Sequence, residues 1–220
     1  MSKLFTMLPF VLWCSLAFAE DFIPANFRTG SHSLESNIRF PKNTPDGILV
    51  IKCAGYVLAN GRLSLKVFYE SPNKHRKSVR RFQRAIAVAS RWIKLTPASV
   101  NGERKEVWFN FSVVFRKFGD KQTIEVYPSH LYDIDKYEKT YTDPQRYGFN
   151  NWPRGCGQFT FFVSADVDST GKASDAKVIV GSAPSRCERK IVDFIENNSY
   201  IPATHNGEYV TAKYVEIFFD

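Results

Sequence analysis

The stretch IPATHNGEYV at 201–210 repeats a phrase that stands 105 positions earlier, TPASVNGERK at 96–105. Each copy carries Pro-Ala, two residues, then Asn-Gly-Glu, and each precedes a run of alternating apolar residues. Asn-Gly is a strong two-residue hairpin signal, because both positions tolerate the positive φ of a tight turn. Ahead of the first phrase, VRRFQRAIAVASRWI (79–93) sets Val79, Phe82, Ile86, Ala89 and Ile93 on one helical stripe. Ahead of the second, SRCERKIVDFIENN (185–198) does the same with Cys187, Ile191, Phe194 and Ile195. Ser185 to Glu188 reads as a capping box, and Asn197-Asn198 as the stop.

Further out, each helix follows a hairpin. Asn60-Gly61 separates KCAGYVL from RLSLKVFYE, and Thr170-Gly171 separates QFTFFVSADV from KASDAKVIV. Phe159, Phe161, Val163, Ala165 and Val167 share one strand face; Leu63, Leu65, Val67 and Tyr69 share another. Beyond each phrase lies a third strand, alternating Val107, Phe109, Phe111, Val113 and Phe115 in one half and Thr211, Lys213, Val215, Ile217 and Phe219 in the other. An aromatic-Pro pair leads into each set, Phe40-Pro41 and Trp152-Pro153. The expected fold class is therefore α+β, with two tandem β-β-α-β units. Each unit is a three-stranded antiparallel sheet covered by one helix. The units span 46–128 and 155–220, with an N-terminal extension at 20–45 and a Tyr-rich linker at 129–154.

The N-terminus sets the expected compartment. Lys3, an apolar run from Leu4 to Phe18 and Ala17-Phe18-Ala19 form an export signal with an A-x-A cleavage site, so residues 1–19 read as removed. The run is short for a bilayer span of ~20 residues, though a retained anchor is the alternative. The expectation is a periplasmic protein. The net charge of +8 becomes +8 − 1 = +7 without Lys3, which favours anionic partners such as lipid headgroups or polyanionic glycans. Export argues against nucleic acid. Of four cysteines, Cys14 leaves with the signal. Cys53, Cys156 and Cys187 then allow one bridge and one free thiol, with Cys156–Cys187 the favoured pair, or three reduced thiols.

The pattern VDSTGKASDAKVIVGS, an amphipathic helix and YIPATHNGEYVTAKYVEIFF resembles the C-terminal domain of TonB-type energy transducers. Gly171, Tyr200, Pro202, Ala203, Gly207 and Phe219 stand at that family's marks over 155–220. Gly61, Leu95, Pro97, Ala98, Gly102 and Phe115 follow it more loosely over 46–116. The resemblance implies a periplasmic protein-binding module, in which an extended peptide from an outer-membrane partner pairs with the free sheet edge beside the last strand. Carried over, that edge is Tyr209, Thr211, Lys213, Val215, Ile217 and Phe219, with Val107, Phe109 and Phe111 as its counterpart. Trp152-Pro153 stands where the family has a Tyr-Pro pair. A transducer also needs a membrane anchor and a long Pro-rich spacer, and the 11 Pro here are scattered. A TonB-like binding protein is thus expected rather than a complete transducer, with a homodimer allowed.

The sharpest charge feature is NKHRKSVRRFQR (73–84), with Lys74, Arg76, Lys77, Arg80, Arg81 and Arg84. It reads either as a patch for an anionic envelope polymer or lipid, or as the solvated face of the helix; like charges at i,i+4 repel by a few tenths of a kcal/mol. The linker, with five Tyr or Trp between His130 and Pro153, reads as an ordered connector. For catalysis there is little basis. His32, His75, His130 and His205 are scattered, and no HExxH, CxxC, GxSxG or phosphate-binding loop occurs. The expectation is no enzyme, no metal and no cofactor.

Overall fold

A computed structural model describes residues 20–69, 76–130, 139–148, 153, 155–156, 161–181 and 184–218, with the side chains of 76–78 excepted. Residues 1–19, expected to be an export signal, together with Lys74, His75, Trp152, Phe159 and Phe219 and the side chains of Arg76 and Lys77, lie outside the described residues.

The chain is mixed α+β with antiparallel sheets. In order it forms β1 (Phe22–Ile23), α1 (Leu34–Asn37), β2 (Gly47–Val57), β3 (Leu63–Tyr69), α2 (Arg76–Ser90), β4 (Ala98–Val100) and β5 (Glu103–Lys105). Then come β6 (Val107–Phe118), β7 (Lys121–Tyr127), β8 (Tyr141–Thr142), β9 (Gln145–Tyr147), β10 (Phe161–Val167) and β11 (Ala173–Val180). The last elements are α3 (Ser185–Glu196), β12 (Ser199–Ile201), β13 (Ala203–His205), β14 (Glu208–Val210) and β15 (Ala212–Phe218).

The larger sheet runs β12-β9-β6-β2-β3, with β7 also paired to β6. A second sheet runs β11-β10-β15. The phrases at 96–105 and 201–210 become the small hairpins β4-β5 and β13-β14, turned at Asn101-Gly102 and Asn206-Gly207 with φ of 51° and 77°, and of 54° and 86°. Each hairpin takes a third strand from elsewhere: β1 joins β4, and β8 joins β13.

The earlier hairpin turns are matched in detail. Gly61 donates its N–H to Leu58 and Gly171 donates to Asp168, with φ of 81° and 82°. A Cβ on Gly61 would lie 2.5 Å from the Leu95 carbonyl oxygen, and one on Gly171 would lie 2.2 Å from that of Tyr200. Only glycine supplies both the left-handed φ and that clearance.

Helix α2 covers one face of the larger sheet. Phe82, Ile86, Ala89 and Ile93 bury against Phe109, Phe111, Val113 and Phe115, and Phe82 meets Phe115 edge-on at 4.8 Å. Helix α3 buries Cys187, Ile191, Phe194 and Ile195 over Phe161, Val163 and Ala165. That second core also holds Ala54 and Trp108, which belong to the larger sheet's other face. The capping box at Ser185 is not formed: Pro184 is the N-cap, no side chain caps the helix, and Ser185 is its first residue. Asn197 is the C-cap.

Two edge assignments are corrected. Val107, Phe109 and Phe111 do not line a margin, because β6 is an interior strand. It pairs with β2 along its length, with β7 from Ser112 to Phe118, and with β9 at Val107. Over the stretch between, Phe27 packs on the side chains, its ring 5.3 Å from both Phe109 and Phe111. Strand β15 is outermost in its ladder, yet Tyr214, Val215, Glu216, Ile217 and Phe218 are all buried. Its backbone is engaged as well: Asn110 on β6 donates its side-chain amide to the Val215 carbonyl at 2.9 Å. The docking of the two sheets seals the margin that was expected to be open. Of the residues assigned to it, Tyr209 lies in β14, its hydroxyl donating to the Phe22 carbonyl, and Thr211 lies between strands.

Candidate functional site

With β6 interior and β15 covered, the open backbone of the second sheet lies on β11. Among the described residues β11 pairs only with β10, and its other side has no ladder partner. Ser174, Asp175 and Lys177 are exposed, and Ile179 and Val180 are 45% and 57% exposed. The edge is not flat. The β10 register shifts between Phe162 and Val163 and between Ser164 and Asp166, and Asp175 takes φ 52°. Such bulges twist an edge and limit indiscriminate pairing. From α3, Glu196 accepts the Ala176 N–H at 3.0 Å, which satisfies one backbone donor of the strand. In the larger sheet β3 is the corresponding outermost strand, with side chains mostly half-buried.

The basic segment divides into two roles. Arg80 and Arg84 are exposed on α2. Arg81 is half-buried and donates to the Lys42 and Asn43 carbonyls at 3.0 and 3.3 Å, pinning that loop to the helix. Its part in a patch is therefore reduced. Lys213 pairs across the ladder with Asp166 at 2.8 Å. Pro153 is buried. Cys156 and Cys187 form a disulfide, Cα–Cα 5.6 Å, that ties the approach to β10 to the first turn of α3. Cys53 is a fully buried free thiol, and burial pushes its pKa well up, so it has no reactive thiolate.

Two buried polar groups had no signal in the sequence patterns. In the first, Arg146 on β9 meets Glu216 on β15 through paired bonds, Nε to Oε2 at 2.8 Å and Nη2 to Oε1 at 2.7 Å, both side chains essentially without solvent. Arg146 also donates to the Gly148 carbonyl, Tyr214 donates to Glu216, and the guanidinium lies 4.9 Å over the Phe194 ring. Burial alone would lower the Arg146 pKa. The Glu216 carboxylate more than reverses this, so the guanidinium stays charged. The second group centres on His130 and Asp143. Asp143 accepts the His130 backbone N–H at 2.8 Å, and the His130 ring reaches the Cys53 carbonyl at 3.1 Å. A carbonyl only accepts, so Nε2 carries the ring proton. Burial pushes Asp143 up to about 7 and His130 down to about 3. Lys52, half-buried nearby, is lowered by burial and raised by Asp143. Asp143 and Arg146, the buried charged residues described in the 129–154 segment, thus serve the interior.

No group of three or more His, Cys, Asp or Glu is placed to hold a metal among the described residues. A cavity of about 280 Å³ opens between the 26–35 segment and the end of β7. Its Glu35 carboxylate accepts from the Val126 N–H and the Lys139 ammonium, both at 2.8 Å, so it is neutralised in place. Comparison with family models, curated proteins and solved structures returned no match to this chain.

Proposed function

We propose that the chain is an exported, non-enzymatic binding module of the periplasm, built from two tandem β-β-α-β blocks like those of TonB-type C-terminal domains. It takes an extended peptide of an envelope or outer-membrane protein by strand addition along β11. The observation that carries this reading is the unpaired outer side of β11, with Ile179 and Val180 exposed at its end. An added strand bonds to main-chain groups there, and alternate side chains supply selectivity. The bulges keep the pairing short, so binding is modest and reversible. Duplication is supported by the equivalent Gly61 and Gly171 turns, the two Asn-Gly hairpins, and the strand orders β3-β2-β6 and β11-β10-β15. In both halves the second strand lies outermost and the third is covered, which moves the acceptor edge from β15 to β11.

The test is site-specific photo-crosslinking in cells. A photoreactive residue at Val180 is expected to capture an envelope protein through an extended segment, and one at Lys213 to capture none. Of two consecutive strand residues, one points its N–H outward. Either Lys177→Pro or Val178→Pro should therefore abolish capture while leaving the internal ladder intact. Capture that persists in both proline variants, or that occurs at Lys213 alone, rejects the mechanism.

A further inference from the structure

Helix α2 and the turn after it carry a cationic stripe that ends in a tryptophan. Arg80, Arg84, Val88 and Trp92 follow at four-residue spacing and all are exposed, Val88 at 49% and Trp92 at 80%. The spacing holds past the helix because Arg91 and Trp92 donate their N–H groups to the Val88 and Ala89 carbonyls at 3.3 and 3.1 Å. Exposed Arg91 adjoins Trp92, and exposed Lys94 is bridged to exposed Arg62. The 32 residues at 71–102 contain eight Lys or Arg and no Asp or Glu. Among the described residues Arg62, Arg80, Arg84, Arg91 and Lys94 make no ion pair.

Charge alone would suit any polyanion. The apolar members of the stripe narrow the choice. An indole left in water beside an exposed valine finds its preferred seat at a bilayer's headgroup boundary, where its ring is desolvated and its N–H stays wet. A soluble polyanion offers Val88 nothing. A basic face with Trp at its end is the pattern of helices that lie in the membrane interface. We propose that this stripe docks the protein on an anionic phospholipid surface, with Arg80, Arg84, Arg91 and Lys94 at headgroup phosphates and Trp92 seated at the boundary. The inference does not depend on the β11 reading, because it uses none of its residues.

The experiment is sedimentation of the full chain with vesicles of phosphatidylcholine and phosphatidylglycerol at 3:1, against phosphatidylcholine alone. Binding is expected only to the anionic vesicles. It should weaken sharply between 50 mM and 500 mM salt, as screening shortens. Each cation near such a surface is worth about fivefold in affinity, so R80Q/R84Q should bind about 25-fold more weakly with an unchanged melting curve. The native-minus-W92F emission difference should shift to shorter wavelength on binding. Both proteins carry the same 1–19 segment, so a difference between them belongs to the helix. Equal binding by R80Q/R84Q and native protein overturns the proposal, as does an unshifted Trp92 emission. Retention on dextran sulfate without vesicle binding also overturns it and assigns the stripe to a glycan.

Discussion

Asp143 and His130 titrate in opposite senses, and their effects on stability oppose each other. In the unfolded chain the Asp143 carboxyl ionises at 3.8, whereas in the fold it holds its proton up to about 7. Between those values the unfolded chain has lost a proton the fold keeps, so stability falls as pH rises, by about 1.4 kcal/mol per unit. His130 ionises at 6.5 unfolded and about 3 folded. There the unfolded chain holds a proton the fold refuses, so stability falls as pH drops, at the same slope. From about pH 4 to 6.5 the two cancel. Urea titrations should show D143N losing about 1.4 kcal/mol per unit on acidification across that window, and H130Q gaining as much. Parallel profiles for D143N and native protein would contradict the assignment. At Arg146 the mechanism is an uncompensated charge. R146M leaves Glu216 buried alone and should cost about 3–5 kcal/mol in urea unfolding, whereas R146M/E216Q, which still offers Tyr214 an acceptor, should recover most of it.

At the scale of elements, what the sequence made legible was local. The Asn60-Gly61 and Thr170-Gly171 turns, the stripes Phe82-Ile86-Ala89 and Ile191-Phe194-Ile195, and the Asn-Gly hairpins rest on residues a few positions apart, where φ and periodicity decide. The close approach of Gly171 to the Tyr200 carbonyl is not local, and it makes the turn glycines irreplaceable. G171A and G61A should each cost more than the ~1–3 kcal/mol of a left-handed non-glycine residue, because a backbone oxygen stands in the new Cβ's place. Thermal melts would check this; a loss under 1 kcal/mol would show that the turn shifts freely. The covering of β6 was harder to see. Phe118-Gly119-Asp120 and the alternation of Thr123, Ile124, Glu125, Val126 and Tyr127 do announce β7 as a hairpin partner. Nothing near Gln145-Arg146-Tyr147 announces β9, whose partners Val107 and Ser199–Ile201 are dozens of residues away. The candidate edge was misplaced for that reason: a strand's neighbours are set by pairings that no single segment encodes. Trp92 falls between the stripe positions Ala89 and Ile93, and periodicity assigns no role to a residue off the buried face.

At the scale of the molecule, the two halves share an interior. Ala54 and Trp108 of the first sheet lie in the second core, β12 of the second half joins the larger sheet through β9, and Arg146 bonds to Glu216 across the junction. Unfolding should therefore be one transition. Ile86→Ala in the first core and Ile191→Ala in the second should each lower the same single midpoint, by about 2–5 kcal/mol in stability, with near-ultraviolet and far-ultraviolet signals coincident. Two resolved transitions, each answering to one substitution, would show independent halves. The concealment of Cys53 governs how the chain matures. In a chain lacking residues 1–19, the sulfurs of Cys53, Cys156 and Cys187 permit three alternative pairings, and only the finished β2 strand takes the wrong partner out of circulation. Refolding in a glutathione buffer should accordingly pass through scrambled isomers that C53S eliminates, so the sequestered thiol acts as a checkpoint: oxidation that outruns sheet assembly traps the protein, and assembly that comes first leaves a single pairing to be made.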